Sequence, residues 1–128
     1  MDLLLDTSVL LWWDSGAAEL TAASRAAIAD PSNNIYVSAA SIWEIAIKSA
    51  KGKLRFAGRP SDAIKSNGFL PLDIAPSHAE LAGALDWAHP DPFDRMLVAQ
   101  AASGGMVLLH ADSAIAAYKA VPQLWARR

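Results

Sequence analysis

The chain has 128 residues, 53% of them hydrophobic, with eleven Lys and Arg against thirteen Asp and Glu for a formal net charge of -2. That length suits one domain with a sizeable core, and excludes a disordered chain or a two-domain enzyme with a separate cofactor module. The absence of cysteine removes disulfides, thiolate zinc sites, iron–sulfur clusters and thiol nucleophiles, while the acidic balance leaves no global positive field for nucleic acid or an anionic membrane.

Short apolar runs alternate with longer Ala-rich stretches of helical spacing, the pattern of an α/β fold. Leu3-Leu4-Leu5, without polar alternation, predicts a central strand buried on both faces, with Asp6 at its C-terminal end. The apolar stretch continues to Trp13, but Asp6 interrupts it and no basic region precedes it, so it reads as neither signal peptide nor membrane span, and a soluble cytoplasmic protein is expected. A short helix is expected through Leu10 to Trp13, and a second over about Thr21 to Ala29, stopped by Asp30-Pro31. Ile35-Tyr36-Val37 predicts the second strand. Ser38 to about Lys51 reads as a long helix ended by Gly52, and Pro60 to Asn67 as another ended by Gly68. Phe69 to Leu72 is extended, and a helix opens near Pro76 and runs to about Leu85. Pro90 and Pro92 make Asp86 to Asp91 a loop, after which Asp91 caps a helix from Pro92 to Ser103, ended by Gly104-Gly105. Met106 to Leu109 is the fourth strand, Asp112-Ser113 caps a short helix to about Tyr118, and Pro122 to Trp125 reads as a short edge strand. The expected architecture is a three-layer α/β/α domain with a mainly parallel sheet, one unit over residues 1–128.

Ligands of open parallel sheets bind outside the carboxyl ends of the strands. Asp6 follows the first strand, Asp112 follows the fourth within three residues, Asp94 lies in the first turn of the helix opened at Pro92, and Glu44 lies on the helix that leaves the second strand. Four carboxylates converging on one edge repel one another unless a cation is present, and an all-oxygen donor set favours Mg²⁺ or Mn²⁺ over zinc. Each acid also has a plainer explanation. Asp6 and Asp112 would serve as helix caps worth about 1 kcal/mol, and Asp94 would complement a helix dipole. Glu44 sits among apolar residues, and a pairing with Lys48 one turn on, worth ~0.2–0.5 kcal/mol, is too small to explain burying a charge.

The remaining polar residues carry weaker signals. His78 reads as a helix-surface residue, His89 lies in the Pro-rich loop and His110 just past a strand, and a ligand or general-base role is the lesser reading for the last two. Ser8 and Ser41 would act as nucleophiles only with an adjacent base, and Gly104-Gly105 is not a phosphate-binding fingerprint. Lys48, Lys51, Lys53, Arg55 and Arg59 form a basic run without an acid among them, suited either to a solvated helix end or to phosphate contact beside a metal site. Trp12 and Trp13, consecutive on a short helix, point about 100° apart, so one ring is expected to remain exposed as an anchor for a protein partner.

Leu3 to Leu11 with Asp6-Thr7-Ser8, Ser38 to Lys48 with Ile42-Trp43-Glu44-Ile45 followed by Gly52-Lys53-Leu54, and Asp91-Pro92-Phe93-Asp94-Arg95 to Ala101 resemble, in order, the successive motifs of PIN domains. The subgroup they resemble is the VapC-like toxins of toxin–antitoxin pairs. This resemblance covers essentially the whole chain. It implies a parallel sheet flanked by helices and a Mg²⁺- or Mn²⁺-dependent endoribonuclease whose acids correspond to Asp6, Glu44, Asp94 and Asp112. It also implies a homodimer, and an antitoxin that blocks the site with a basic side chain. Thr7, Ser8, Lys48 and Arg95 are candidates for contact with RNA, Arg95 alternatively for pairing with a nearby acid. Many relatives carry Thr or Ser where this chain has His110, so the site's hydroxyl would come from Ser113 or Thr7.

Three other functions compete. A phosphoacceptor receiver domain would need paired acids after the first strand and a Lys after the last, and neither is present. A haloacid-dehalogenase-like phosphatase would need an Asp where Ser8 stands. The third is a PIN-type scaffold without activity that only binds a partner, against which the four intact acids speak.

Overall fold

Leu3, Leu4 and Leu5 are all buried, as an unbroken apolar run requires of a strand covered on both faces. They form β1 (Asp2–Leu5), the middle of a five-stranded sheet with β2 (Asn34–Ser38), β3 (Leu70–Leu72), β4 (Val107–His110) and β5 (Gln123–Trp125). The computed structural model describes residues 1–128. Strand order is β3-β2-β1-β4-β5, and every neighbouring pair is parallel, so the mainly parallel expectation becomes a wholly parallel sheet.

The two-residue period of the strands divides the core. Leu3, Leu5, Ile35, Val37 and Leu109 enter one apolar cluster with Val9, Leu10, Ile28, Ile45 and Ala63. These latter residues come from α1 (Thr7–Ser15), α2 (Ala22–Ala29), α3 (Ala39–Ala50) and α4 (Asp62–Ser66). Leu4 and Leu108 face the opposite way, against Leu97, Val98, Ala101 and Ile115. Those residues belong to α6 (Pro92–Gly104) and α7 (Ser113–Ala117), and α5 (Pro76–Ala84) packs on α6. The result is the expected three-layer α/β/α arrangement. Each fully buried Leu contributes roughly 1.5–3 kcal/mol, so the sheet anchors both helical layers.

Element ends depart from expectation for local reasons. Helix α1 starts at Thr7 rather than Leu10, because Asp6 caps it directly by accepting the Val9 N–H at 2.8 Å. The entry to α4 from Pro60 is a turn, with Ala63 N bonded to Pro60 O, which leaves only Asp62–Ser66 helical. At the end of α6, Gly105 takes φ 64° and Met106 N bonds back to Ala101 O, so β4 begins at Val107 and reaches His110.

The expected leftover ring on α1 is absent. Trp12 and Trp13 are both partly buried against the first core cluster, and Trp13 packs on Phe69 at 6.2 Å. Leu54 and Phe56 of the α3–α4 connection and Ile64 of α4 pack against the same cluster. The anchor role expected of Trp12 and Trp13 therefore loses its basis; the exposed tryptophans are Trp43 and Trp125.

Candidate active site

Parallel strands deliver their C-terminal ends to one edge of the sheet, and the acids collect there. Asp6 leaves β1 with its N–H bonded to Leu109 O, so β1 and β4 stay paired up to the site. Asp112 stands two residues beyond β4. Glu44 comes from the second turn of α3 and Asp94 from the first turn of α6. Together with Thr7, Ser8, Lys48, Asp91 and Ala111 they line a cleft of about 200 Å³.

The capping explanation and the convergence hold at once. Asp6 Oδ1 caps α1, and Asp112 Oδ1 caps α7 by accepting from Ala114 N at 2.7 Å and Ile115 N at 3.2 Å. Asp91 Oδ1 caps α6 through Phe93 N and Asp94 N. A cap occupies one carboxylate oxygen, so three helix N-termini aim their caps' carboxylates into a single cleft.

Glu44 has partners on both oxygens. Thr7 Oγ1 donates to Oε1 at 2.6 Å, and Lys48 Nζ donates to Oε2 at 2.6 Å. The side chain of Glu44 is 14% exposed and that of Lys48 48%. The pairing that looked too weak to account for Glu44 is thus present, reinforced by a hydroxyl. Thr7 also answers the hydroxyl question: it faces the cleft, while Ser113 is exposed and does not line it.

Five carboxylates face one ammonium in this cleft, and the cost appears in two of them. Burial pushes the Asp6 carboxyl up to about 7, and the charges of Asp94 and Glu44 add to the shift, against the lowering effect of the Val9 and Ala111 N–H groups. Asp94 is pushed up to about 6, first by burial and then by Asp91 and Asp112, against the hydrogen bond from His89. Carboxyls whose ionisation the protein itself opposes fit a site completed by a cation. Asp6, Glu44, Asp94 and Asp112 offer the hard oxygen donors that Mg²⁺ or Mn²⁺ prefers.

Sequence reasoning gave too little weight to two residues. His89 Nε2 lies 2.8 Å from Asp94 Oδ2, and donor atoms of His89, Asp94 and Asp112 lie within 4.8 Å of one another. Asp91, read only as a cap, also lines the cleft. The available signal was the His89-Pro90-Asp91-Pro92 run, whose prolines set an extended backbone that folds the histidine back over the first turn of α6.

Three other expectations change. Arg95 neither lines the cleft nor pairs with an acid, so its candidacy for RNA contact is withdrawn. Its guanidinium donates five hydrogen bonds to the carbonyls of Ala82, Gly83, Leu85, Trp87 and His89. A planar fork with five N–H groups matches the carbonyls gathered at the end of α5 and in the loop that follows. His78 is no surface residue: it is half-buried, and its Nδ1 accepts the Ala75 N–H at the start of α5. His110 ends β4 fully buried, with Nε2 bonded to Gln123 and Nδ1 accepting the Asp112 N–H. Burial lowers its pKa, so the ring is neutral and braces the backbone of Asp112.

These features meet comparison with known proteins. The sequence matches the PIN domain family over residues 3–121, and the chain belongs to that family. No curated protein matches it significantly. Solved structures share the fold, three of them as follows. A chain of VapBC2 from Rickettsia felis, bound to a DNA fragment from its promoter, superposes with a TM-score of 0.72 at 10% identity, covering 98% of this chain and 99% of that one. A toxin–antitoxin complex from Klebsiella pneumoniae gives 0.66 at 21% identity, covering 96% of each chain. VapBC-1 from nontypeable Haemophilus influenzae gives 0.64 at 16% identity, covering 97% of each.

Proposed function

We propose that this protein is the toxin of a toxin–antitoxin pair, a divalent-metal-dependent endoribonuclease made of one PIN domain. The observation that carries the reading is the convergence of Asp6, Glu44, Asp94 and Asp112 from four elements into one cleft, with Asp6 and Asp94 both held above the usual carboxylate range. The VapBC and toxin–antitoxin complexes among its structural neighbours support the toxin role and an antitoxin partner.

In this reading the four acids hold Mg²⁺ or Mn²⁺. Such an ion supplies Lewis acidity for the phosphate and acidifies a water to make the nucleophile. The chain's own groups orient the donors. Thr7 and Lys48 fix both oxygens of Glu44, His89 fixes one oxygen of Asp94, and the caps fix Asp6 and Asp112. Lys48, the single cation in the cleft, is placed to receive a phosphate oxygen, and the exposed hydroxyl of Ser8 lies at the same opening. Homodimerisation and cytoplasmic location belong to this proposal. On the membrane, the structure shows that no helix is long and apolar enough to cross one.

The test is cleavage of a pool of cellular RNAs, read at nucleotide resolution, with and without Mg²⁺, by wild type and Asp6→Asn. Metal-dependent cuts made only by wild type are expected. Equal products from both proteins, or none from wild type with Mg²⁺ or with Mn²⁺ in its place, would overturn the nuclease reading and leave a partner-binding scaffold.

A further inference from the structure

Trp43 is 61% exposed, on the residue immediately before Glu44, and it does not stand alone. Its ring meets Phe93 edge-to-face at 5.3 Å and 72°, and Phe93 immediately precedes Asp94. Two aromatic side chains from different helices are therefore locked together beside two of the cleft acids, one braced and one open to solvent. An exposed indole of this kind is costly to leave in water, and no element of the chain covers it.

The chain segment that follows Glu44 carries charge of one sign. Beyond Trp43 on the same chain segment, Lys51, Lys53, Arg55 and Arg59 are all exposed, and the chain's two side-chain ion pairs, Lys48–Glu44 and His89–Asp94, use none of them. A single open aromatic face followed by a run of unpaired cations matches the way single-stranded nucleic acid is held, with bases on rings and phosphates on Lys and Arg. Protein interfaces call for a broader patch of roughly 800 Å² per partner. Ala46 and Ala50, three and seven residues further along α3, are small and exposed, so neither adds a broad side chain beside the ring.

We propose that Trp43, braced by Phe93, is a stacking subsite for one unpaired nucleobase of the substrate strand, with the phosphates beyond it running along Lys51, Lys53 and Arg55. This rests on the nuclease reading and deepens it: the strand enters single-stranded, and register at the cleft is set by a stacked base rather than by the metal site.

The experiment uses the full chain carrying Asp6→Asn, so that RNA is bound and not consumed. Its probes are oligoadenylate, the duplex of oligoadenylate with oligouridylate, and an abasic oligomer of equal length. Stacking on a ring is worth about 1–3 kcal/mol per base, so Trp43→Ala is expected to weaken oligoadenylate binding by about 5- to 150-fold. Trp43→Phe should restore most of the affinity, and the duplex and abasic probes should be bound equally weakly by all three proteins. Quenching of tryptophan fluorescence by oligoadenylate should vanish in Trp43→Ala. Unchanged affinity for oligoadenylate in a folded Trp43→Ala overturns the proposal. So does a loss of self-association or of antitoxin binding in that variant with RNA affinity intact, which would make Trp43 a protein contact. If the Trp43-intact protein binds none of the three probes, the nuclease reading falls with the subsite; if it binds them in a salt-dependent way that Trp43→Ala leaves untouched, only the subsite falls.

Discussion

Replacing Asp6 with Asn removes a carboxyl that folding disfavours in its ionised form. In the unfolded chain this group ionises near 3.8 and in the folded protein near 7. Between those values the folded state keeps a proton that the unfolded state has released, so stability falls as pH rises, by about 1.4 kcal/mol per pH unit. The loss begins near pH 4, is complete near pH 7, and amounts to about 4 kcal/mol. Asn keeps an oxygen for the Val9 N–H, so the cap survives while the charge is gone. Urea denaturation with a chelator present, at about pH 4 and about pH 8, measures both proteins. Wild type is expected to lose about 4 kcal/mol more than Asp6→Asn across that interval, and added Mg²⁺ to restore wild type alone. Parallel pH profiles for the two proteins would refute the electrostatic argument.

Arg95→Ala should destabilise the fold by about 2–4 kcal/mol in the same assay, because charged hydrogen bonds to carbonyls are lost. Arg95→Lys should recover less than half of this, since one ammonium cannot span five carbonyls; full rescue would mean that charge alone matters. Thr7→Val should lower Mg²⁺ affinity several-fold in calorimetric titration by freeing Glu44 Oε1, with unchanged affinity counting against the positioning of Glu44. Neutralising Lys51, Lys53, Arg55 and Arg59 together should reduce the salt slope of RNA binding by up to about 3, at ~0.7 per single-strand phosphate contact, and an unchanged slope would assign the run to solvated surface.

The fold was legible in the sequence because its signals are local: Leu3 to Leu5 is unbroken apolar, and Gly52, Gly68 and Gly105 stand past the ends of helical stretches. The acids were legible for the same reason, since a parallel sheet fixes which ends of its strands share an edge. Arg95 was misread because its partners are backbone carbonyls, which leave no trace in residue type. Trp12 and Trp13 were misread because helical spacing describes an isolated helix, whereas in the fold both rings pack against the first core cluster. Trp43 entered the sequence reading only as part of the motif around Glu44, and only the packing shows it facing solvent.

Strand order has a consequence for synthesis. Because β1 lies between β2 and β4, Leu3 to Leu5 emerge first and wait for Val107 to Leu109 to complete their pairing. At about 5–20 residues per second, a ribosome takes on the order of 5–20 s to supply that partner. Until then one edge of β1 is open, and Asp6 and Glu44 have no Asp112 beside them. The cleft is thus assembled only after β4 has reached β1, and the segment that leaves β4 brings in the last of its acids.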